Sequence, residues 1–298
     1  MLAMARAKIN LFLAVGEKRP DGFHDIDSVI TAIDRADILD IAAGAKPRLD
    51  VQLEDLPAGQ DVAKGSDNLV WKAAERVLGP DRGWRVTLYK TIPVGAGLGG
   101  GSSDAALALQ ALTALYKLEV PDLAAKAADV GSDVPFFLQG GLCRVRGRGE
   151  RVEALAVLPT LHVVVAVPPV EVSTAEAYAW IDASPDRPRR DISEFLASLG
   201  SGDPRAIARA VWNDFEAPVM NRHPEIASAK AKLLGHGAWG AALCGSGSAV
   251  FGIFATPDEA NQVAFTLRRD GLWAIYAPTA PRSNEFGRDP AESPELIG

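Results

Sequence analysis

Cysteine and histidine are both scarce in this chain. Two cysteines, Cys143 and Cys244, stand among 298 residues, too few for a disulfide scaffold and with no neighbouring ligands to outline a zinc site. The four histidines, His24, His162, His223 and His236, lie far apart and form no HExxH pair. Metal held by protein nitrogen or sulfur is therefore not expected. Long apolar runs are missing too. No stretch approaches the ~20 apolar residues of a membrane span. Arg6, Lys8 and Asn10 interrupt the partly apolar start, and no small-residue cleavage site follows. The expectation is a soluble, cytoplasmic protein with no membrane partner. Positive charge is in deficit: 31 Lys and Arg against 38 Asp and Glu leave −7 at pH 7. That balance argues against broad nucleic-acid binding. An anionic ligand must find its positive potential locally.

What is present points to a folded enzyme-sized chain. Apolar residues at 48% and charged residues at 23% rule out a mainly disordered chain and supply a sizeable core. At ~150 residues per domain, the length allows two domains or one large mixed fold. Runs at residues 5–15, 26–33, 36–41 and 49–53 read as strands from their alternation and β-branched content. Residues 68–78 read as a helix capped by Asp67 or Ser66, and 84–92 as a strand. A helix over 102–116, a shorter one over 121–128 and a strand over 142–145 complete the first half. In the second, 162–167 reads as a buried strand. Helices are expected over 173–181, 192–199, 204–211 and 223–234. Strands over 241–243, 249–254 and 273–276 surround a helix at 257–270. The Pro-rich, charged stretch 182–191 reads as a loop, and 278–298 as a loosely held polar tail. The expected class is α+β in two lobes, 1–155 and 156–280, with 281–298 beyond them.

Between a predicted strand and a predicted helix lies Pro93-Val94-Gly95-Ala96-Gly97-Leu98-Gly99-Gly100-Gly101, followed by Ser102-Ser103-Asp104. Five glycines in seven positions free the backbone to take φ > 0 and leave no side chains to block a ligand. Successive N–H groups can then face one concavity, with the positive end of the following helix behind them. Such a turn binds phosphate without added lysine. Three better-known phosphate or nucleophile loops do not fit. A P-loop needs Gly-Lys, which occurs nowhere here. Gly95-Ala96-Gly97-Leu98-Gly99-Gly100 matches the dinucleotide fingerprint by letter. The stretch after the helix, Lys117-Leu118-Glu119-Val120-Pro121, is too short and broken for the second strand that fingerprint requires. Asp104 stands where a hydrolase elbow needs its closing glycine. A second glycine-serine turn, Leu243-Cys244-Gly245-Ser246-Gly247-Ser248, is either a plain hairpin connection or a second backbone wall of the same anion pocket.

Taken in order, these segments resemble the GHMP kinases. The matching stretches are residues 7–11, 19–24, 67–69, 97–106, 131–137, 147–150, 213–214 and 244–251, spanning roughly residues 5–255. In detail they are most similar to the branch whose acceptor is a cytidine-diphospho sugar alcohol on the non-mevalonate route to isoprenoid precursors. Phe23 stands where that branch commonly has Tyr, and Cys244 where Ser is common. The polar tail falls outside the match. The resemblance implies a two-lobed fold of mixed sheets and helices with the active site in the cleft between lobes. It implies ATP as donor, a hydroxyl acceptor and Mg²⁺, in a monomer or homodimer. Asp133 matches the family's catalytic base, and Lys8 the lysine beside it; a nearby ammonium favours the ionised carboxylate and attracts the acceptor oxygen. Residues 93–103 are the expected ATP loop, with Ser103 as a protein ligand to magnesium. Phe23 and Tyr178 are expected to sandwich the cytosine while His24 bonds its edge. Asn10, Thr174, Gly245 and Ser246 are further acceptor contacts. Arg144, Arg146, Arg148 and Arg151 form a basic cluster with two readings, a charge-protected edge strand or positive potential near phosphates.

Overall fold

The computed structural model describes residues 1–156 and 159–286. Its spine is a long antiparallel hairpin of β1 (Leu2–Lys18) and β2 (His24–Ala43), in register from Leu2 opposite Asp40 to Lys18 opposite His24. The two runs expected at 26–33 and 36–41 are thus one strand. β3 (Arg48–Leu53) runs parallel to β4 (Trp84–Lys90), which pairs with the far half of β2, while β5 (Leu142–Gly147) pairs with its near half and carries β6 (Arg151–Ala154) outside it. A second, four-stranded sheet is formed by β7 (His162–Val167), β9 (Gly240–Leu243), β10 (Val250–Phe254) and β11 (Trp273–Tyr276), in the order β11-β7-β10-β9 and antiparallel throughout. Three short strands from the second half return to the first sheet, bringing it to nine strands among the described residues. They are β8 (Trp212–Asn213) parallel to β1, β12 (Thr279–Ala280) against β2, and β13 (Asn284–Phe286) against β1. The first part of the expected loose tail is therefore tied down; residues 287–298 lie outside the described residues.

The helices in chain order are α1 (Leu69–Leu78), α2 (Gly100–Leu115), α3 (Leu123–Val130), α4 (Val134–Gln139), α5 (Thr174–Asp182), α6 (Ile192–Gly200), α7 (Pro204–Ala210), α8 (Glu216–Met220), α9 (Pro224–Gly235) and α10 (Pro257–Arg269). Local chemistry sets most starts. Thr256 caps α10 with Pro257 in its first turn, and Asn68, rather than Asp67 or Ser66, caps α1 by accepting from the Val70 N–H. The apolar run after Asp133 is α4, which periodicity over six residues was too short to signal. No helix among the described residues is long and apolar enough to cross a membrane.

Three apolar clusters hold the layers together, and β1 contributes to all of them: Ala3 and Ala5 to the first, Ala7, Ile9 and Leu11 to the second, Leu13 and Val15 to the third. Irregularities between Arg6 and Lys8 and between Asn10 and Phe12 change which face each stretch presents. Helix α2 is buried on nearly every side, with Leu107, Leu109 and Leu112 fully enclosed, each burial stabilising the fold by ~1.5–3 kcal/mol. Such burial fixes where its N-terminus points.

Candidate active site

The two glycine turns meet backbone to backbone. Gly95, Gly97 and Gly99 take φ of +67°, +80° and +71°, the alternation expected of a turn that directs its amides inward. A Cβ on Gly97 would stand 1.9 Å from the Cys244 carbonyl oxygen, so only glycine lets the turns touch. The Ala249 N–H donates to the Ala96 carbonyl, and the Lys8 N–H to that of Leu98, at 3.1 and 2.9 Å. Gly99 then serves as the N-cap of α2 with no side chain capping it. The first-turn amides and the helix dipole are left for a ligand.

Lys8 and Asn10, two apart on β1, share a face. The Lys8 Nζ donates to Asn10 Oδ1 at 2.7 Å and lies 3.7 Å from Asp133 Oδ2. Asn10 also accepts the Gly245 N–H at 3.1 Å and donates to Ser28 Oγ at 3.0 Å. One amide thus ties the ammonium, the second glycine turn and β2 together. The Lys8 side chain is 4% exposed and that of Asp133 38%. Although Asp133 precedes α4, its carboxylate caps nothing and remains available for chemistry.

Both motifs open on a cavity of about 670 Å³. Gly95, Gly97, Gly99 and Ser102 line it from the first turn, and Gly245 and Ser246 from the second. Ser103, the expected magnesium ligand, faces inward instead: its hydroxyl is fully buried, with no hydrogen-bond partner among the described residues. At a helix start, neighbouring residues point ~100° apart, and the core side of α2 claims Ser103. Among the described residues, no group of three or more His, Cys, Asp or Glu is placed to hold a metal ion.

At the acceptor end, the His24 ring stacks on Tyr178 (centroids 4.9 Å apart, 21° between planes), and Tyr178 meets Phe215 edge-on at 5.0 Å. Burial, with the charge of Asp133 nearby, pushes the Tyr178 phenol up to about 12. Phe23 is half exposed beneath the Arg148 guanidinium, 4.4 Å from its ring centroid. Thr174 and Ser246 share a hydrogen bond at 3.0 Å, joining α5 to the second turn. Lys18, Asp182, Arg148, Ser132 and Phe215 also line the cavity and were not singled out as site residues. Arg148 had one signal, the arginine cluster, but β5 ends at Gly147 and places Arg148 in the following turn. Arg144 instead grips Asp27 through two hydrogen bonds of 2.8 and 2.6 Å, and Arg146 pairs with Glu153 at 2.9 Å. Their strand lies between β2 and β6 and is not an edge.

Behind the turn sits a buried charge cluster that the sequence pattern did not signal. Lys90 donates to Asp37, and to Asp104 at 3.0 Å. A Cβ on Gly100 would meet the same Nζ at 2.9 Å. Burial, which Lys90 only partly offsets and Asp37 reinforces, raises the Asp104 carboxyl well above the usual range. The cluster anchors the start of α2 from below.

Cys244, fully enclosed beside the second turn, has its thiol pushed up to about 12 by burial, and Cys143 to about 11. Neither forms thiolate near neutral pH. Titration with an aromatic disulfide reagent is expected to find no fast-reacting thiol in the native protein and two after denaturation. One fast thiol in native buffer would contradict the packing.

Comparison with known proteins places this architecture. Residues 68–141 match the GHMP kinases N terminal domain and residues 193–271 the GHMP kinases C terminal domain. The chain is 42% identical over 272 residues to a 4-diphosphocytidyl-2-C-methyl-D-erythritol kinase of Pelotomaculum thermopropionicum, covering 90% of this chain and 93% of that one. It is 40% identical to the kinase of the same name from Moorella thermoacetica, covering 89% and 93%. A crystal structure of 4-(cytidine 5'-diphospho)-2C-methyl-D-erythritol kinase superposes with a TM-score of 0.76 at 36% identity, over 94% of this chain and 99% of that one. Homoserine kinase from Cytophaga hutchinsonii, at 19% identity, shares the fold with a TM-score of 0.67 over 96% of each chain. The chain belongs to the GHMP kinases and, within them, to the family of 4-diphosphocytidyl-2-C-methyl-D-erythritol kinases.

Proposed function

We propose that this chain transfers the terminal phosphoryl group of ATP to the 2-hydroxyl of 4-diphosphocytidyl-2-C-methyl-D-erythritol, in the cytoplasm, on the non-mevalonate route to isoprenoid precursors. The observation that carries the reading is the Lys8 ammonium 3.7 Å from the Asp133 carboxylate in a cavity walled by both glycine turns. Phosphoryl transfer needs alignment, charge neutralisation and a proton acceptor. Asp133 takes the proton of the acceptor hydroxyl as that oxygen bonds to the γ-phosphorus and the bond to ADP breaks. Lys8, held by Asn10, stabilises the charge on the attacking oxygen. The turn amides and the α2 dipole receive the triphosphate.

Magnesium fits this site as an ion carried in with the nucleotide. The cavity offers single hydroxyl and carboxylate oxygens rather than a protein cage, and Mg²⁺ characteristically keeps phosphate oxygens and water as most of its shell. Ser102 and Asp133, both lining the cavity, are the residues that would hold it from the protein side. When bound, the ion neutralises phosphate charge.

With ATP and a panel of the cytidine-diphospho sugar alcohol, homoserine, mevalonate and a free sugar, only the first is expected to be phosphorylated at an appreciable rate. Preference for another acceptor would overturn the substrate while leaving the kinase chemistry. The exposed Phe23 ring offers the cytosine a stacking face worth ~1–3 kcal/mol. Phe23→Ala is thus expected to raise KM for the cytidine acceptor by about tenfold or more, with kcat little changed. An unchanged KM would remove Phe23 from the base site.

A further inference from the structure

We propose that Asp182 is a positioning residue: it fixes which nitrogen of His24 carries the proton, and so makes the site select a cytosine over a uracil. The selectivity rests on the reading that the acceptor bears a pyrimidine; the tautomer does not.

His24 is held from several sides. Its ring stacks on Tyr178 and is 4% exposed, and its Nε2 lies 2.7 Å from Asp182 Oδ1. The other carboxylate oxygen of Asp182 accepts from the Lys18 ammonium at 3.0 Å. Lys18 and His24 lie opposite each other at the turn end of the β1–β2 hairpin, so one carboxylate at the end of α5 fastens both. All three line the cavity. The remaining ring nitrogen, Nδ1, has no protein partner among the described residues.

The chemistry follows from what a carboxylate can do. An ionised carboxylate only accepts hydrogen bonds. Desolvation opposes ionisation here, but the hydrogen bonds from Lys18 and His24 outweigh it and hold the Asp182 carboxyl below its usual range. Nε2 must then be the protonated nitrogen. In the neutral ring this leaves Nδ1 as a bare acceptor, the logic by which a buried carboxylate sets an imidazole tautomer elsewhere. Cytosine presents an exocyclic amine that donates to such an acceptor. Uracil presents a carbonyl oxygen at the same place, setting two acceptors against each other, and a site built to bond an N–H strongly rejects an analogue lacking it.

Two measurements on the full chain test this. Two-bond proton–nitrogen NMR correlation on the free enzyme reads the His24 tautomer without any substrate, with His24→Gln supplying the assignment. The Nε2–H form is expected in the native protein, and a mixture in Asp182→Asn, whose amide can accept or donate. Nδ1–H, a doubly protonated ring, or no change in Asp182→Asn would overturn the proposal. Steady-state kinetics then compare the cytidine acceptor with its uridine counterpart. The native enzyme is expected to prefer cytidine by about a hundredfold or more in kcat/KM. Asp182→Asn should bring that preference below about tenfold, mainly through KM. In a His24→Gln background the same substitution should leave the preference where His24→Gln alone put it; a further additive loss there would mark Asp182 as merely structural and overturn the role. A native enzyme that phosphorylates neither pyrimidine acceptor would instead refute the function proposed above, with the tautomer result standing on its own.

Discussion

Asp133→Asn is expected to lower turnover by about a hundredfold or more while ATP still binds. The substitution keeps shape and volume but removes the basic oxygen pair that would take the acceptor's proton. The fold should tolerate it, since the side chain is 38% exposed and caps no helix. Lys8 keeps its bond to Asn10, so the change isolates the carboxylate. Calorimetric titration with a non-hydrolysable ATP analogue, set beside single-turnover rates, separates binding from chemistry. Near-normal turnover would discard Asp133 as the proton acceptor. A loss confined to ATP affinity would move it into the nucleotide site.

The second large effect is expected at Gly97. An alanine there must hold φ near +80° and place its Cβ 1.9 Å from the Cys244 carbonyl. Strain in the left-handed region and overpacking together cost roughly 2–5 kcal/mol. Relief requires the two turns to part, which spoils the concavity between them. We expect Gly97→Ala to melt roughly 5–15 °C below the native protein and to lose measurable ATP binding. Gly95→Ala is the matched control for stability: φ is also positive, but the added Cβ meets nothing within 4 Å, leaving strain of only ~1–2 kcal/mol. Equal melting of the two variants would show that the turns do not depend on close approach.

These two sites differ in how they were legible. The glycine turn was plain in the sequence because its chemistry is local: five glycines between a strand and a helix have few other uses. Lys8 and Asp133 came from the family resemblance, since a lysine on an apolar strand and an aspartate before a short helix carry no signal alone. Asp182 was hidden because its partners Lys18 and His24 lie some 160 positions away, and its own neighbourhood reads as the start of a charged loop. The inward turn of Ser103 was hidden for a related reason. Composition marks a Ser-Ser pair, but only the packing of α2 decides which hydroxyl faces the cavity. The Lys90–Asp37–Asp104 cluster escaped because charged residues at strand and helix ends normally meet water, and burial is settled by tertiary structure. β13 was missed because a polar, proline-bearing stretch gives no period-two pattern, and its strand character comes from the partner it finds in β1.

The hydrogen bond from the Gly245 N–H to Asn10 joins residues 235 positions apart, and it closes the wall on which the phosphates would rest. Contacts of that span incur a large loop-closure entropy and form late, after local elements are in place. A ribosome-bound chain that has emerged only as far as α9 would own the ammonium, the carboxylate and the first glycine bend, yet hold no finished nucleotide cradle. Catalysis should switch on in one step, when the last strands dock.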